Sequence, residues 1–432
     1  MIKILSTKSK NFEKKLNYFL NLRKDFPESK LSIVKKIIKD IQTNKDKSII
    51  KYEKKFNHLK IFKNKNFSFS ALEIENYIKR LDPKVKKSID VAFKRIYFFH
   101  KKQKFNGFKF TDKYKNILSY RSQPLEKIGV YVPGGKSSYP SSVLMNCIPA
   151  IIAGVKEIYM TVPSQGKNIN PGVLYAAKKC RVKKIYKLGG AQAIAAFAFG
   201  TKNINKVDKI VGPGNEYVAL AKKEVFGRVG IDIFAGPSEV TIVADKFSNP
   251  SWVSADLIAQ AEHDETSQSI LITDNENVIN NVNKFLNLQL KFLPKKNIVS
   301  KSFRNYGIAI LAKNLKEITN IVNSISPEHL QIYTKKPELY LKKINNAGSI
   351  FLGGYSPEAM GDYLAGPNHV LPTSGTAKFS SGLSVYDFLK RQSVIKISKT
   401  GIERLGPSVI NLSKYENLYG HANSVKVRIK KR

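Results

Sequence analysis

The stretch of sequence that decides the fold is residues 127–153, which read KIGVYVPGGKSSYPSSVLMNCIPAIIA. The apolar run over 128–132 predicts a buried strand, the Pro-Gly-Gly after it predicts a turn, and residues 143–153 predict a helix. A strand that ends in glycine and leads into a helix is the repeating unit of a parallel α/β sheet. Because ligands bind such sheets at the carboxyl ends of the strands, we expect the functional groups there.

The same alternation of strand and helix continues toward the C-terminus in two series. The first has predicted strands over 157–162, 184–188, 209–211 and 231–234, and helices over 173–179, 191–199 and 215–226. The second has strands over 240–244, 270–273, 308–312 and 348–354, and helices over 252–262, 278–288 and 315–325. Helices over 31–41 and 85–101 precede both series, and a separate piece follows from about residue 383. The pattern predicts two α/β domains with parallel sheets.

Charge is the unusual feature of the composition. The 432 residues include 74 Lys and Arg against 33 Asp and Glu, a net charge of +41. Such an excess raises nucleic acid or an anionic membrane as partners. However, 63 of the cations are Lys and only 11 are Arg, and Arg is the side chain that best recognises phosphates and guanine. We therefore expect an ordinary globular surface rich in lysine, with no nucleic acid and no membrane partner.

The cysteines and the apolar runs predict the compartment. Cys147 and Cys180 are too few for a disulfide framework and fit a reducing environment. The N-terminal residues do not resemble a signal peptide, and no uncharged apolar stretch reaches the length of a membrane span. The sequence therefore predicts a soluble cytoplasmic protein. Cys147 lies in an apolar helix, where a buried and unreactive thiol is expected.

Histidines are concentrated in the second half of the chain. Gln260 and His263 are three residues apart at the end of a predicted helix, so both can face one metal ion. His58 and His100 stand among lysines and aromatic residues, and we expect both at the surface. The remaining histidines stand beside acids, amides or glycine turns, as His263 does: His329, His369 and His421.

The tetrapeptide Ser326-Pro327-Glu328-His329 predicts the start of a helix, with Ser326 as its cap and Pro327 in the first position. The positive end of the helix dipole disfavours imidazolium. His329 is then neutral and available as a general base, and Glu328 can activate a water. From these four residues alone, a capping acid beside a surface histidine is the alternative.

Two further groups can contribute to a site. Asp362 and His369 fall in a Gly/Pro-rich loop after a strand, where α/β enzymes carry functional side chains. Asp362 can ligate a metal, and His369 can line the same pocket. Glu416 and His421 lie close together near the C-terminus. A functional pair on so small a piece needs another surface to dock against.

Familiar cofactor fingerprints are absent from the sequence. Neither G-x-G-x-x-G nor G-x-x-x-x-G-K-[ST] occurs. Glycine turns at 134–135, 189–190 and 212–214 each precede a predicted helix, whose free N-terminal amides can hold a pyrophosphate. An NAD site in this chain would therefore be atypical.

Taken together, the motifs resemble those of the histidinol dehydrogenases. The resemblance covers about residues 125–425, while the first 120 residues match only in length and helical character. It rests on strings that occur in the same order: Gly129–Gly135, Gly189–Ala193, Gly212–Asn215, Ala235–Glu239, Gln260–His263, Ser326–Leu330, Gly361–Tyr363, Asn368–Thr373, Glu416 and His421.

The resemblance implies a zinc enzyme that oxidises L-histidinol to L-histidine through the aldehyde with two NAD. His329 would be the general base, and Glu328 would activate the water that attacks the aldehyde. One Zn²⁺ per subunit would be held by four residues: Gln260, His263, Asp362 and His421. The substrate would contact those ligands and three more residues: Ser238, His329 and Glu416.

The resemblance also implies an architecture. It predicts two incomplete Rossmann-like, doubly wound α/β domains, a small N-terminal helical arm and a small C-terminal domain, in a homodimer with shared active sites. NAD would lie against Tyr131, Gln192 and Asn215. The implied boundaries are the arm over 1–22, a catalytic domain over 23–130 with 239–382, an NAD-binding domain over 131–238, and a C-terminal domain over 383–432 that completes the partner's site.

Two alternatives to this function stay open at the level of sequence. One is a basic nucleic-acid-binding protein, which the net charge suggests. The other is a paralogue that keeps the zinc site but oxidises a different amino alcohol. Against the first, residues 229–283 contain a single basic residue and nine acids, so the lysines avoid the segments that carry the motifs.

Overall fold

A computed structural model describes residues 2–22, 28–57, 67–103, 107–134, 139–164, 169–233 and 236–429. Its strands are β1 (Lys3–Ser6), β2 (Phe108–Thr111), β3 (Ile117–Pro124), β4 (Lys127–Tyr131), β5 (Glu157–Thr161), β6 (Lys184–Tyr186), β7 (Lys209–Val211), β8 (Gly230–Ile231), β9 (Glu239–Ala244), β10 (Gln268–Thr273), β11 (Gly307–Leu311), β12 (His329–Tyr333), β13 (Ser349–Leu352) and β14 (Leu389–Lys396).

Its helices alternate with most of these strands. They are α1 (Phe12–Asn21), α2 (Glu28–Asn57), α3 (Ala71–Ile78), α4 (Pro83–Lys101), α5 (Pro140–Ala153), α6 (Pro171–Lys179), α7 (Gly190–Phe199), α8 (Glu216–Val225), α9 (Pro250–Ala261), α10 (Glu276–Leu290), α11 (Lys296–Tyr306), α12 (Leu315–Ile325), α13 (Pro337–Leu341), α14 (Glu358–Tyr363), α15 (Lys399–Tyr415) and α16 (Tyr419–Ile429). Helix α2 is kinked at Lys45.

Two parallel sheets form the framework, which confirms the predicted α/β fold class. The five-stranded sheet has the order β6-β5-β4-β7-β8, and the six-stranded sheet has the order β1-β11-β10-β9-β12-β13. All residues of the central strands β9 and β10 are buried. These strands are covered on both faces by helices, so they appear in the sequence as continuous apolar runs. Each predicted strand of the two series lies in one of these sheets.

The N-terminal end of the chain differs from the prediction of a helical arm. Lys3–Ser6 form β1, which pairs in parallel with β11 at the edge of the six-stranded sheet. Helical structure begins only at Phe12, in α1. Four residues are too short a run for periodicity to reveal. Their strand conformation depends on pairing with residues 305 positions later in the chain.

The helices between residues 28 and 101 pack against the helices that accompany the five-stranded sheet. Helix α2 lies against α7 and α8, and α4 lies against α5 and α6. Val34, Ile37 and Ile41 of α2 share one buried cluster with Ile194 of α7. The boundaries that the resemblance implies instead group residues 23–130 with 239–382. In the structure, the apolar faces of α2 and α4 are buried against the helices of residues 140–225.

The C-terminal piece is tied to an earlier part of the chain. Strand β14 pairs antiparallel with β3 over eight residues, and β2 completes this third sheet. Helices α15 and α16 follow and pack against each other. Among the described residues, no helix is both long and apolar enough to cross a membrane.

Two sequence expectations about single residues have opposite outcomes. His100 is fully buried, not at the surface as predicted, and burial lowers its pKa. Its Nδ1 lies 2.9 Å from the Ile96 carbonyl oxygen, and Asn368 Nδ2 lies 3.4 Å from its Nε2. His58 lies outside the described residues. Cys147 is buried as predicted, and a hydrogen bond with Cys180 together with burial raises the pKa of its thiol.

A buried ion pair secures the turn after β7. The Lys222 ammonium contacts the Asp232 carboxylate, and the two side chains are 3% and 1% exposed. Lys222 also donates to the Gly212 carbonyl oxygen at 3.1 Å, and Asp232 Oδ2 accepts from the Gly212 amide at 2.7 Å. The pair therefore fixes the backbone of the glycine turn on both sides.

We expect Asp232→Ala to lower the free energy of unfolding by about 3–5 kcal/mol, because it leaves the Lys222 ammonium buried without its counter-charge. Urea unfolding monitored by circular dichroism measures this change. The control is Lys301→Ala, which removes a solvent-exposed pair with Glu265 and is expected to cost less than about 1 kcal/mol. Equal losses in the two variants would contradict the role of the buried pair.

Candidate active site

A cleft of about 630 Å³ is lined by residues of both parallel-sheet units. On the five-stranded side, Pro133 and the turn over 212–215 follow the carboxyl ends of β4 and β7. On the six-stranded side, Ser238 precedes β9, and Glu328 and His329 lie at the start of β12. The prediction that functional groups lie at carboxyl ends is therefore wrong for the six-stranded sheet, which presents the amino ends of its strands.

His329 is positioned by the first residues of two neighbouring strands. The predicted helix start over 326–329 is wrong, because Ser326 ends α12 in the left-handed conformation (φ 52°) and His329 begins β12. His329 is opposite Val240 in the register of β12 with β9. Its Nδ1 lies 3.2 Å from the carbonyl oxygen of Glu239.

The surroundings of His329 fix its protonation. A carbonyl only accepts hydrogen bonds, so Nδ1 carries the proton and Nε2 is the basic nitrogen. Nε2 is buried and has no hydrogen-bond partner among the residues that the structure describes. Burial lowers the pKa of His329, and the charge of Asp362 only partly opposes this. The imidazole is thus neutral, as predicted, but because of desolvation and not because of a helix dipole.

Glu328 is oriented by the same strand end. Its Oε2 accepts a hydrogen bond from the Glu239 amide at 2.9 Å and lies 3.8 Å from His329 Nδ1. Both side chains are buried and line the cleft. The backbone of Glu239 therefore holds the neighbouring acid through its N–H and the base through its C=O.

Helix α14 brings two carboxylates to the same place. The sequence predicts a loop around Asp362, but residues 358–363 form a short helix with Glu358 and Asp362 one turn apart. Asp362 Oδ1 lies 3.8 Å from His329 Nε2, and Glu358 Oε1 lies 3.4 Å from His329 Nδ1. Burial and the neighbouring charges of Asp362 and Glu328 raise the pKa of Glu358 well above its usual range.

Three side chains in the described part of the chain can hold one metal ion. Ligand atoms of His263, Glu358 and Asp362 all lie within 4.8 Å of one another. Sequence reasoning missed Glu358, although its spacing of four residues from Asp362 on one helix was a usable signal. The sequence placed His263 on the helix with Gln260, whereas α9 ends at Ala261 and His263 follows its C-cap.

The other two predicted metal ligands have different surroundings. Gln260 is fully buried, and neither of its amide atoms finds a hydrogen-bond partner in the described residues. An unpaired buried amide is costly, so a ligand for its oxygen is consistent with this arrangement. His421 is exposed on α16 and is not part of the cluster of possible metal ligands. Glu416 is likewise exposed, at the end of α15.

His369 lines the cleft beside Asp362, as the sequence predicts. Its Nδ1 lies 2.9 Å from the Asp362 carbonyl oxygen, and its Nε2 lies 3.4 Å from Ser142 Oγ. Burial lowers its pKa, so the ring is neutral. Because Ser142 belongs to α5, this contact joins the two sides of the cleft.

The three residues expected to contact NAD are not placed alike. Asn215 lines the cleft and caps α8 by accepting from the Val218 amide at 3.1 Å. Tyr131 and Gln192 are buried, at 3% and 2% exposure. The Tyr131 hydroxyl accepts from the Gly190 amide at 3.1 Å, so both residues belong to the interior around the turn before α7.

The fold and the site place the chain among α/β enzymes that carry out their chemistry in a cleft between two parallel sheets. A model of the histidinol dehydrogenase family matches residues 22–429. The chain is 55% identical to histidinol dehydrogenase of Pelagibacter ubique over 100% of both chains, and 45% identical to that of Rhodopseudomonas palustris over 99% of both.

A solved structure agrees with these relatives. The crystal structure of histidinol dehydrogenase from Elizabethkingia anophelis superposes with a TM-score of 0.93 at 37% identity, and the match covers 99% of this chain and 98% of that one. The chain therefore belongs to the histidinol dehydrogenase family and is an oxidoreductase, as the sequence motifs predicted.

A carboxyl group behind the site gives a prediction about pH. Asp256 of α9 accepts a hydrogen bond from Gln331 Nε2 at 2.8 Å, yet burial raises its pKa from 3.8 to about 6. A carboxyl that binds its proton more tightly in the folded state favours folding at low pH. Stability from this group is therefore lost as the pH rises from about 4 through 6.

We expect Asp256→Asn to be more stable than the unchanged protein by about 2 kcal/mol at pH 7.5 and by about 0.5 kcal/mol or less at pH 4. The amide oxygen still accepts from Gln331, while the charge that burial disfavours is gone. Urea midpoints of the metal-free protein at both pH values measure the difference. Glu403→Gln, at an exposed position, is the control and should show no such change. A constant difference at both pH values would refute the assignment.

Proposed function

We propose that the protein oxidises L-histidinol to L-histidine through L-histidinal, reducing two NAD⁺, in the last steps of histidine biosynthesis. The observation that carries the proposal is the neutral, buried His329. Its basic Nε2 makes no hydrogen bond within the described residues and lies 3.8 Å from Asp362, a carboxylate of the candidate metal centre. The match to the histidinol dehydrogenase family over nearly the whole chain supports histidinol as the substrate.

We propose one Zn²⁺ per subunit, held by Gln260, His263 and Asp362, with His421 from a second copy of the chain. The donor set fits: His263 and Asp362 already converge, and the amide of Gln260 is buried and lacks a partner in the part of the chain described. Bound zinc would orient the alcohol and stabilise negative charge on its oxygen. Glu358 lies in the same cluster and adds a third acid–base group beside His263 and Asp362.

The residues of the chain have separate tasks in the two oxidations. His329 Nε2 takes the proton of the alcohol while hydride passes to NAD⁺. Glu328 then removes a proton from the water that attacks the aldehyde. The resulting hydrate passes its hydride to the second NAD⁺ while His329 Nε2 takes a proton from its hydroxyl group. The Glu239 backbone keeps both side chains in place during the two steps, so the site does not need to be rebuilt between them.

The charge of the site suits the proposed substrate. Histidinol carries a cationic amine, and the cleft places the acids Glu328, Glu358 and Asp362 close together, whereas the rest of the surface is strongly positive. We propose that Ser238 and, from the second copy, Glu416 also contact the substrate. A panel of amino alcohols would separate histidinol from a related substrate, because an imidazole is the extra metal ligand that only histidinol supplies.

For NAD, we propose binding along the five-stranded side of the cleft, with Tyr131, Gln192 and Asn215 as the nearby polar residues. A cleft of about 630 Å³ falls within the range of cofactor sites. It runs from His329 to the turn over 212–215.

We also propose that residues 131–238 form the NAD-binding domain and that residues 383–432 complete the active site of the partner in a homodimer. The use of NAD and the two free cysteines fit a cytoplasmic enzyme.

We expect His329→Asn to lower kcat for both histidinol and histidinal by about 10²–10⁴-fold, because the base is lost from both steps. Glu328→Gln should lower histidinal oxidation by about 10²-fold and histidinol oxidation by less than about tenfold. NADH formation from each compound measures the effects, and chelation followed by added Zn²⁺ tests the metal. Glu338→Gln, at an exposed position, is the control. Full activity in either site variant would remove its assigned role.

The shared site can be tested by mixing two inactive proteins. When His263→Ala and His421→Ala chains exchange subunits, half of the dimers are mixed, and each mixed dimer has one intact site. About a quarter of the unaltered activity should return, as expected for a two-fold symmetric dimer. His263→Ala mixed with Asp362→Asn is the control and should recover nothing. If tagged subunits exchange and no activity returns, the site is not shared.

A further inference from the structure

A buried carboxylate from outside the cleft lies at the N-terminus of α7. Glu53 belongs to the second half of α2 and is 0% exposed. Its Oε1 accepts two hydrogen bonds, from the Gly189 amide at 3.1 Å and from Gln192 Nε2 at 2.8 Å. One oxygen atom thus connects α2 to the backbone and to a side chain of the turn that opens α7.

Helix α7 depends on such outside partners. Its N-cap residue is Gly189, which has no side chain to cap the helix, and Gly190 has a positive φ of 64°. A Cβ at Gly189 would meet Pro163 Cγ at 2.5 Å, so no capping residue fits there. Glu53 binds the Gly189 amide, and the Tyr131 hydroxyl binds the Gly190 amide. Two amides that could have received a phosphate are therefore already occupied by the chain itself.

Glu53 also decides which end of the Gln192 amide is used internally. A carboxylate oxygen only accepts hydrogen bonds here, so Gln192 must direct its NH₂ group toward Glu53. The carbonyl oxygen is then the atom that Gln192 can offer to a ligand. A carbonyl oxygen binds hydroxyl or amino hydrogens, and it repels a phosphate, which at neutral pH presents mainly acceptor oxygens.

We propose that Glu53 is a positioning residue for the dinucleotide, a role that rests on the proposed placement of NAD beside Tyr131 and Gln192. It holds the turn before α7 and orients the Gln192 amide, so that Gln192 accepts from a ribose hydroxyl or an amide hydrogen of NAD. The pyrophosphate does not bind the Gly189 and Gly190 amides, because Glu53 and Tyr131 already occupy them. The phosphates then lie elsewhere along the cleft, away from the turn that the sequence alone offers for them.

Two substitutions test the length of the Glu53 side chain separately from its charge. Glu53→Asp keeps the charge but withdraws the oxygen by one methylene, so it cannot reach both donors. We expect the Kd for NAD to rise about tenfold. Glu53→Gln keeps an acceptor oxygen at the same reach, and its Kd should stay within about threefold of the unchanged protein. Calorimetric titration with NAD, without histidinol, measures both values.

The kinetic pattern provides a second readout. In Glu53→Asp, KM for NAD should rise about tenfold, while kcat and KM for histidinol at saturating NAD stay within about twofold. The matched control is Asp46→Ala on the same helix, which removes a hydrogen bond from Asn203 Nδ2 to Asp46 Oδ2 (2.7 Å) behind the other end of α7. It should lower the melting temperature and leave the Kd for NAD unchanged.

Three results would overturn the proposal: an unchanged Kd in Glu53→Asp, a tenfold loss in Glu53→Gln, or an equal loss in Asp46→Ala. If Glu53→Asp does not fold, Glu53→Gln still tests the proposal, because the Gln variant is expected to bind NAD with a nearly unchanged Kd. The titrations do not depend on turnover. A protein that binds NAD as expected but does not oxidise histidinol would contradict the proposed function and leave the role of Glu53 intact.

Discussion

The parallel pairing of β9 with β12 is the constraint on which the site depends. It sets His329 beside the first residues of β9, where the Glu239 carbonyl receives the imidazole N–H and the Glu239 amide binds the Glu328 carboxylate. A peptide group inside a sheet cannot rotate without breaking its ladder. His329 and Glu328 are therefore held by backbone and not by flexible side chains, which is the kind of preorganisation that the two proposed oxidations at one carbon require.

Burial gives this arrangement its chemistry. Desolvation keeps the imidazoles of His329 and His369 neutral, and it disfavours ionisation of Glu358 among its acidic neighbours. Several buried acids at one place are costly for the protein alone. A cation offsets that cost, so the same electrostatics favour the binding of a cation at this place, as the proposed function requires. Lys30 and Lys222 also line the cleft, and each is paired there with an acid, Glu216 and Asp232 respectively.

Much of the fold and part of the site could be predicted from the sequence. Apolar runs such as Ile128–Val132 and Val240–Ala244 predict the strands, because a strand buried on both faces is apolar at nearly every position. His329, Glu328 and Asp362 stand out by motif. The conformation around Ser326 could not be predicted, because Ser-Pro before an acid resembles the start of a helix. Only the pairing of β12 with β9 makes this segment lead into a strand. The partners of Glu53 were equally invisible, since they are 136 and 139 residues away in the chain.

The sequence by itself determined the α/β class, the family and the chemical character of the site, because these follow from local patterns and from the order of motifs. Only the tertiary structure decided that the two sheets meet with opposite strand ends at the cleft, that Glu358 joins the cluster of His263 and Asp362, and that the turn before α7 is filled by Glu53. The physical reason is distance along the chain. Periodicity and propensity act over a few residues, whereas desolvation and the pairing of buried polar groups act between whichever residues the packed sheets bring together.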